Sequence, residues 1–284
     1  MLAAGIVTYN PQIINIIDQI NNLGDICSLI IIVDNGSDNI VLLKKELEPF
    51  HNVMVIMNED NLGIAKALNQ IMEIANQKGF GWVLSLDQDS QLNSDLVKEL
   101  YVGTNYEGVG IVCPRIYDIN SGRIALVQDH YVSHSTPDFQ DVEKCITSGA
   151  ITSIEAWNSV GGYDEYLFID NVDFDFCKRL KMSGYRIIES EKATLNHQIG
   201  KTEYHYLLGI HIGVMNHNAI RKYYMVRNKI YCNYKFDGRF GLRNILGIIK
   251  ISLIVMLYEK DKIAKFKSIA KGIHDGVKAG KEMI

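Results

Sequence analysis

Four short, almost wholly apolar runs pace the first ninety residues, and each stops abruptly at a polar cluster. They occupy residues 2–7, 29–33, 53–56 and 80–86. Runs of this length, rich in β-branched residues and apolar on both alternations, are those of strands buried on both faces. Between them the period changes. Ile13, Ile14, Ile16, Ile17, Ile20 and Leu23 fall at helical spacing, so residues 11–23 predict a helix, and residues 39–48 predict another. Asn61-Leu62-Gly63-Ile64 is a loop that opens a third helix, running to about Gln77. Strands alternating with helices in this way imply a doubly wound, mostly parallel α/β sheet, Rossmann-like, flanked by helices.

The pattern then loosens. Residues 109–114 predict a further strand, and residues 117–145 are polar and broken. Ser148-Gly149-Ala150 is a run of small residues that permits close approach to a ligand. Gly161-Gly162-Tyr163-Asp164 reads as a turn, residues 172–182 as a helix and residues 185–188 as a strand. Residues 241–258 are mostly apolar but carry Arg243 and Lys250, and a lysine-rich stretch follows them. The apolar stretch 251–257 falls far short of the roughly 20 residues needed to span a bilayer. Two readings stay open for this tail. One is a basic amphipathic helix lying on the cytoplasmic leaflet; the other is helices packed on the protein or across a homodimer.

Composition narrows the class. Hydrophobic content of 47% and charge of 22% over 284 residues are those of an ordinary globular protein. A net charge of −4 gives no basic footprint for nucleic acid. The five cysteines are widely spaced and form no CxxC pair, which argues against a zinc site or disulfide framework and for reduced thiols in a cytoplasmic chain. The apolar start runs straight into Thr8-Tyr9-Asn10-Pro11, without the basic opening of a signal peptide.

The chemistry sits where the apolar runs stop. Three of them end in Thr8-Tyr9-Asn10, Asp34-Asn35-Gly36-Ser37 and Asp87-Gln88-Asp89-Ser90. In a doubly wound sheet such ends converge on one crevice. Asp87 and Asp89 offer hard oxygen ligands, suited to Mg²⁺ or Mn²⁺ held together with substrate phosphates. Asn61 and Gly63 lead a helix whose N-terminus favours anions. Any one cluster is explained by turn chemistry or helix capping. Three at successive strand ends, together with Asp-x-Asp, point to a nucleotide site. No Gly-x-Gly-x-x-Gly follows the first strand and no Gly-Lys-Ser/Thr loop exists, which disfavours dinucleotide oxidoreductases and P-loop enzymes.

Together with residues 163–179, these stretches resemble the inverting family 2 glycosyltransferases, whose nucleotide-sugar-binding fold is called GT-A. The matching motifs are Val7-Thr8-Tyr9-Asn10, Val33-Asp34-Asn35-Gly36-Ser37, Asn61-Leu62-Gly63-Ile64-Ala65, Leu86-Asp87-Gln88-Asp89, Gly161-Gly162-Tyr163-Asp164 and Asp173-Phe174-Asp175-Phe176-Cys177-Lys178-Arg179. They come in the family's order across roughly residues 3–200. Asp-Gln-Asp-Ser and Leu167-Phe168-Ile169-Asp170-Asn171-Val172-Asp173 look most like the bacterial rhamnosyltransferase branch.

The resemblance implies a GT-A catalytic domain over residues 1–205, with a nucleotide-binding half (1–115) and an acceptor half (116–205). A C-terminal helical extension would cover 206–284. It implies that Thr8, Tyr9, Asn10, Asp34 and Asn35 hold the nucleoside, and that Asn61 and Gly63 line the ribose–diphosphate path. Asp87 and Gln88 would reach the donor, with Asp87, Asp89 and His197 as the metal corner. Asp173 would be the base that takes the acceptor proton. The family's acidic run opens with an acid where this chain has Val172, so Asp170 is an alternative base. Asp175 has Arg179 four residues on and reads as its ion-pair partner. Arg227 and Asn228, in a Tyr-x-x-x-Arg-Asn element, would lie near the acceptor. The implied activity is metal-dependent transfer of one sugar, L-rhamnose from dTDP-rhamnose, onto a glycan or polyprenyl-diphosphate-linked acceptor of a bacterial envelope polysaccharide. A UDP-sugar donor (galactofuranose or a hexose) is the rival within the fold. A non-catalytic nucleotide-sugar-binding subunit is the rival outside enzymes.

Overall fold

The structure is a computed structural model that describes residues 1–90, 93–118, 123–124, 130–136, 138–197, 203–207 and 210–283. The chain divides into two units. The first comprises Met1–Phe168 and Val172–His197, and the second comprises Ile169–Asn171 and Gln198–Ile284.

The first unit opens with the alternation that the apolar runs predict. β1 (Leu2–Thr8), α1 (Ile13–Leu23), β2 (Ile30–Asp34), α2 (Ile40–Leu47), β3 (Val53–Met57), α3 (Ile64–Gln77) and β4 (Trp82–Asp87) follow in turn. The four strands pair in parallel in the order β3-β2-β1-β4. Every residue of β2 is buried, which is why its sequence shows no polar alternation. α1 turns Ile16, Ile20 and Leu23 inward, and each such burial contributes about 1.5–3 kcal/mol. The register sets Thr8 opposite Asp34 and Val7 opposite Asp87, so the three polar clusters lie side by side at one edge.

Beyond Asp87 come α4 (Ser94–Val102), β5 (Val109–Asp118), β6 (Arg123–Ile124), β7 (His130–Ser135), β8 (Phe139–Val142), β9 (Ile151–Ser153), α5 (Ile154–Ser159), α6 (Val172–Met182) and β10 (Arg186–His197). The sheet continues β9-β5-β10-β8-β7 from β4, with β6 on β5. β9 runs antiparallel to both β4 and β5, so this half of the sheet is mixed. The polar stretch 117–145 therefore contributes strands to the sheet, and β10 extends well past residue 188. Polar residues are accommodated because these strands are short or irregular: β10 shifts register between Glu189 and Thr194. Helix α4, which the apolar pattern left unmarked, starts at Asn93, whose side chain accepts from the Leu96 N–H at 2.8 Å.

The second unit holds an antiparallel ribbon, β11 (Glu203–Leu207) and β12 (Ile210–Val214), and three helices. These are α7 (Ala219–Asp237), α8 (Leu242–Tyr258) and α9 (Lys262–Lys281). α9 lies unusually close to α7 because it turns Gly272, Gly276 and Gly280 toward it. A Cβ at Gly276 would sit 2.8 Å from the Arg227 carbonyl oxygen, and a backbone atom cannot step aside. Val226, Ile230, Ile248, Val255 and Ile269 form the core between the helices. Inside it Glu259 accepts from Lys222 Nζ at 2.6 Å and Lys265 Nζ at 2.9 Å. Among the described residues, no helix is long and apolar enough to cross a membrane.

Candidate functional site

Asp34 is the anchor of the strand edge. Its side chain is fully buried and accepts from Thr8 Oγ1 at 2.9 Å, Ser37 N at 2.8 Å and Ser37 Oγ at 2.5 Å. A carboxylate offers about four acceptor positions, so three are used within the edge itself. Ser37 Oγ in turn accepts from the Asn10 N–H at 2.7 Å, and Asn10 Oδ1 accepts from the Asp38 N–H at 2.8 Å. Asn35 donates from its backbone to the Thr8 carbonyl at 2.8 Å and from its side chain to the Gly63 carbonyl at 3.2 Å. Asn61 Oδ1 accepts from the Gly63 N–H at 3.0 Å. The structure thus brings Thr8, Asn10, Asp34, Asn35, Asn61 and Gly63 into one continuous network.

Gly63 has φ of 85°, and a Cβ there would lie 2.6 Å from the Phe168 ring and 2.7 Å from the Phe168 carbonyl oxygen. That carbonyl accepts from the Ile64 N–H at 2.7 Å. Glycine is required at this close approach between the α3 N-terminus and the chain leading to α6.

The second carboxylate cluster follows β4. Gln88 Oε1 accepts from the Tyr9 N–H at 2.8 Å, which ties this loop to the end of β1; Tyr9 itself is exposed. Asp87 donates its N–H to Ser148 Oγ at 3.2 Å, and its carbonyl accepts from Gln19 Nε2 at 2.9 Å. Asp87 is half-buried. Asp89 is exposed and lines a polar groove of about 360 Å³ with Asn15, Asp18, Gln19, Asn22 and Ser90. Among the described residues, no group of three or more His, Cys, Asp or Glu side chains is gathered for a metal. His197 ends β10 opposite Asp118, and its side chain lies outside the described part of the structure.

Asp173 sits in the first turn of α6, with Oδ1 accepting from the Phe174 N–H at 2.9 Å. Its charge acts on a buried thiol cluster. The Cys145 thiol is pushed well above the usual range by its hydrogen bond with Cys113, by burial and by the Asp173 carboxylate. The Cys177 thiol rises through its hydrogen bond with Cys145 and through burial. Among the described residues, no two cysteines are joined by a disulfide. Asp175 is buried and accepts from Arg179 Nε at 2.7 Å, the i,i+4 pair that the sequence suggests.

In the second unit, Asp170 Oδ1 accepts from Arg221 Nη2 at 3.2 Å, while its buried Oδ2 has no hydrogen-bond partner among the described residues. Arg227 is buried, its guanidinium over the rings of Tyr224 at 4.6 Å and Tyr223 at 5.5 Å. Asn228 is fully buried. Sequence reasoning overlooked Asn69, on the inner face of α3. Its amide donates to the Tyr163 carbonyl at 2.9 Å and Glu165 Oε1 at 3.0 Å, and accepts from Trp157 Nε1 at 3.0 Å and Tyr163 N at 2.8 Å. A polar residue at a core position of an amphipathic helix was the available signal.

The fold is that of the GT-A glycosyltransferase class. Similar solved structures include GalNAc-T7 with UDP, GalNAc and Mn²⁺, at a TM-score of 0.61 and 14% identity, covering 80% of this chain and 47% of that one. The chain thus spans about half the length of that neighbour. S. aureus TarS 1–349 in complex with UDP-GlcNAc matches at a TM-score of 0.55 and 15% identity, covering 98% of this chain and 72% of that one. Residues 6–156 match the model of glycosyl transferase family 2, and the chain belongs to that family. It is 28% identical over 286 residues to the dTDP-rhamnosyl transferase RfbF of Shigella flexneri, covering 97% of this chain and 95% of the relative. The protein is a glycosyltransferase.

Proposed function

We propose that the chain transfers L-rhamnose from dTDP-rhamnose, with inversion, onto a glycan or polyprenyl-diphosphate-linked acceptor of a bacterial envelope polysaccharide. The observation that carries this reading is the near end-to-end similarity to a dTDP-rhamnosyl transferase in a chain whose strand edge is built around Asp34, Asp87 and Asp89. Thr8, Asn10, Asn35 and the Asp34 network hold the nucleoside, and Asn61 and Gly63 set the helix N-terminus along the diphosphate. Asp87 and Asp89 are hard oxygen donors, and Mg²⁺ and Mn²⁺ are commonly held by one or two carboxylates plus substrate phosphates, so the donor set fits such an ion. When bound, that cation offsets charge developing on the leaving diphosphate. His197 would be a further ligand. Asp173 takes the proton of the acceptor hydroxyl, and the α6 N-terminus favours the negative charge that role requires.

The experiment is a thermal-shift series of the whole chain with dTDP, UDP or GDP and Mn²⁺, followed by donor turnover with dTDP-rhamnose. A ligand of the folded state raises the midpoint by mass action. The reading expects the largest rise with dTDP, together with turnover. A larger rise with UDP moves the donor to a UDP-sugar, the second reading, which the UDP-bound neighbours favour. Nucleotide binding without turnover on any donor or acceptor leaves the non-catalytic subunit.

A further inference from the structure

Helix α8 presents an apolar face to solvent. Leu242, Leu246, Ile249, Leu253, Met256 and Leu257 recur three or four residues apart and are all exposed, Leu246 to 56% and Leu253 to 47%. The helix buries only its other side, through Ile248 and Val255. Phe266 and Ile273 of α9 line the same surface, forming an apolar groove of about 450 Å³ with α8. Ile263, at the start of α9, is 76% exposed. A contiguous stripe of this kind on a folded unit marks something that covers it.

Charge decides what that is. Residues 241–284 carry nine Lys and Arg against four Asp and Glu, a net +5 in a chain whose net charge is −4. Lys250, Lys260, Lys262, Lys267, Lys271 and Lys278, on these two helices and the turn between them, are exposed, and Lys260, Lys262 and Lys267 share a surface with the apolar Ile263. Of the acids, Glu259 is buried between two lysines and offers solvent no charge. A symmetric dimer through this face would bring two such cationic surfaces together, and like charges across an interface are unfavourable. An anionic surface meets both features, because lysines pair with lipid headgroups while the apolar stripe enters the headgroup–acyl boundary. No described helix is suited to spanning.

We propose that the α8–α9 surface docks the protein peripherally on an anionic lipid bilayer, α8 lying in the plane of the interface. This stands independently of the donor and of the reaction.

Co-sedimentation of the full chain with phosphatidylcholine vesicles, with and without about one quarter phosphatidylglycerol, tests it. The wild type should pellet with the anionic vesicles, poorly with neutral ones, and less at high salt. Leu246→Asp with Leu253→Asp should weaken pelleting at least about tenfold while leaving dTDP binding and the melting temperature unchanged, because both positions are exposed. Lys260→Glu with Lys267→Glu should weaken it about tenfold through charge alone, which keeps the test decisive even if the aspartates disturb folding. Failure of the wild type to pellet, or equal pelleting of the lysine variant, overturns the proposal. So does a wild-type dimer in analytical ultracentrifugation that the aspartates dissociate, which would give the face to a second copy.

Discussion

The side-chain amide of Asn228 donates to two successive carbonyls, those of Ile169 at 2.7 Å and Asp170 at 2.8 Å. The backbone there needs holding. Phe168, Asp170 and Asn171 have φ of 62°, 66° and 62°, and left-handed conformation at a non-glycine residue costs of order 1 kcal/mol or more. The segment leads directly into α6 and Asp173.

If Asp173 is the base, Asn228→Ala should slow turnover more than it weakens donor binding. Loss of two part-buried hydrogen bonds, at about 1 kcal/mol each, sets the scale at roughly tenfold or more in kcat. Steady-state kinetics on the donor would show it as a fall in kcat with KM for dTDP-rhamnose nearly constant. A fall in binding alone would mean that Asn228 serves the fold and not the loop.

Asp89 and Asp173 should separate binding from chemistry. Asp89→Ala should weaken nucleotide binding only when Mn²⁺ or Mg²⁺ is present. Asp173→Asn should leave that binding intact and reduce transfer by at least about a hundredfold, the usual scale of general-base catalysis. Calorimetric titration with dTDP, with and without the ion, reads the first, and transfer rates read the second. Normal transfer by Asp173→Asn would shift attention to Asp170, whose buried Oδ2 has no partner among the described residues.

Gly63→Ala should be costly beyond its size. The residue is left-handed, and the added methyl would fall within 2.7 Å of the Phe168 carbonyl oxygen, which cannot move without breaking its bond from Ile64. A loss of about 1–3 kcal/mol is expected. It should be accompanied by weaker nucleotide binding, since Asn35 and Asn61 both bond to Gly63. Urea denaturation with unchanged stability would contradict the close approach.

The parallel half of the sheet was legible because β1, β2 and β4 are largely buried on both faces and the half-buried edge strand β3 is apolar throughout. Helix α6 was legible to the residue, since Asp173, Asp175 and Arg179 sit where first-turn acids and an i,i+4 pair belong. The mixed half was not. β6 to β9 are two to six residues long and take part of their stability from neighbours in the sheet, which no local period records. The same holds for Asp34: its position at a strand end was evident, while its three intramolecular hydrogen bonds depend on β1 and the Ser37 turn coming together. Asn228 carried a motif, yet its partners at Ile169 and Asp170 lie 59 and 58 residues away.

Burial alone would push the Glu259 carboxyl up; the hydrogen bonds and charges of Lys222 and Lys265 outweigh it and hold the carboxyl below its ordinary value. A carboxyl lowered on folding contributes stability above its unfolded pKa and loses it as pH falls through the folded one. At neutral pH, Glu259→Gln should therefore destabilise the three-helix unit, because two buried ammonium groups lose their anion. The scale for such a loss is about 3–5 kcal/mol. Once pH has fallen through the lowered pKa of the folded carboxyl, the wild-type carboxylate is itself protonated, and the two proteins should converge. Urea denaturation of both chains, followed by circular dichroism from neutral pH into acid, measures the gap directly and cancels titrations that they share. A gap that stays constant with pH would mean that Glu259 stabilises this unit by packing rather than by charge.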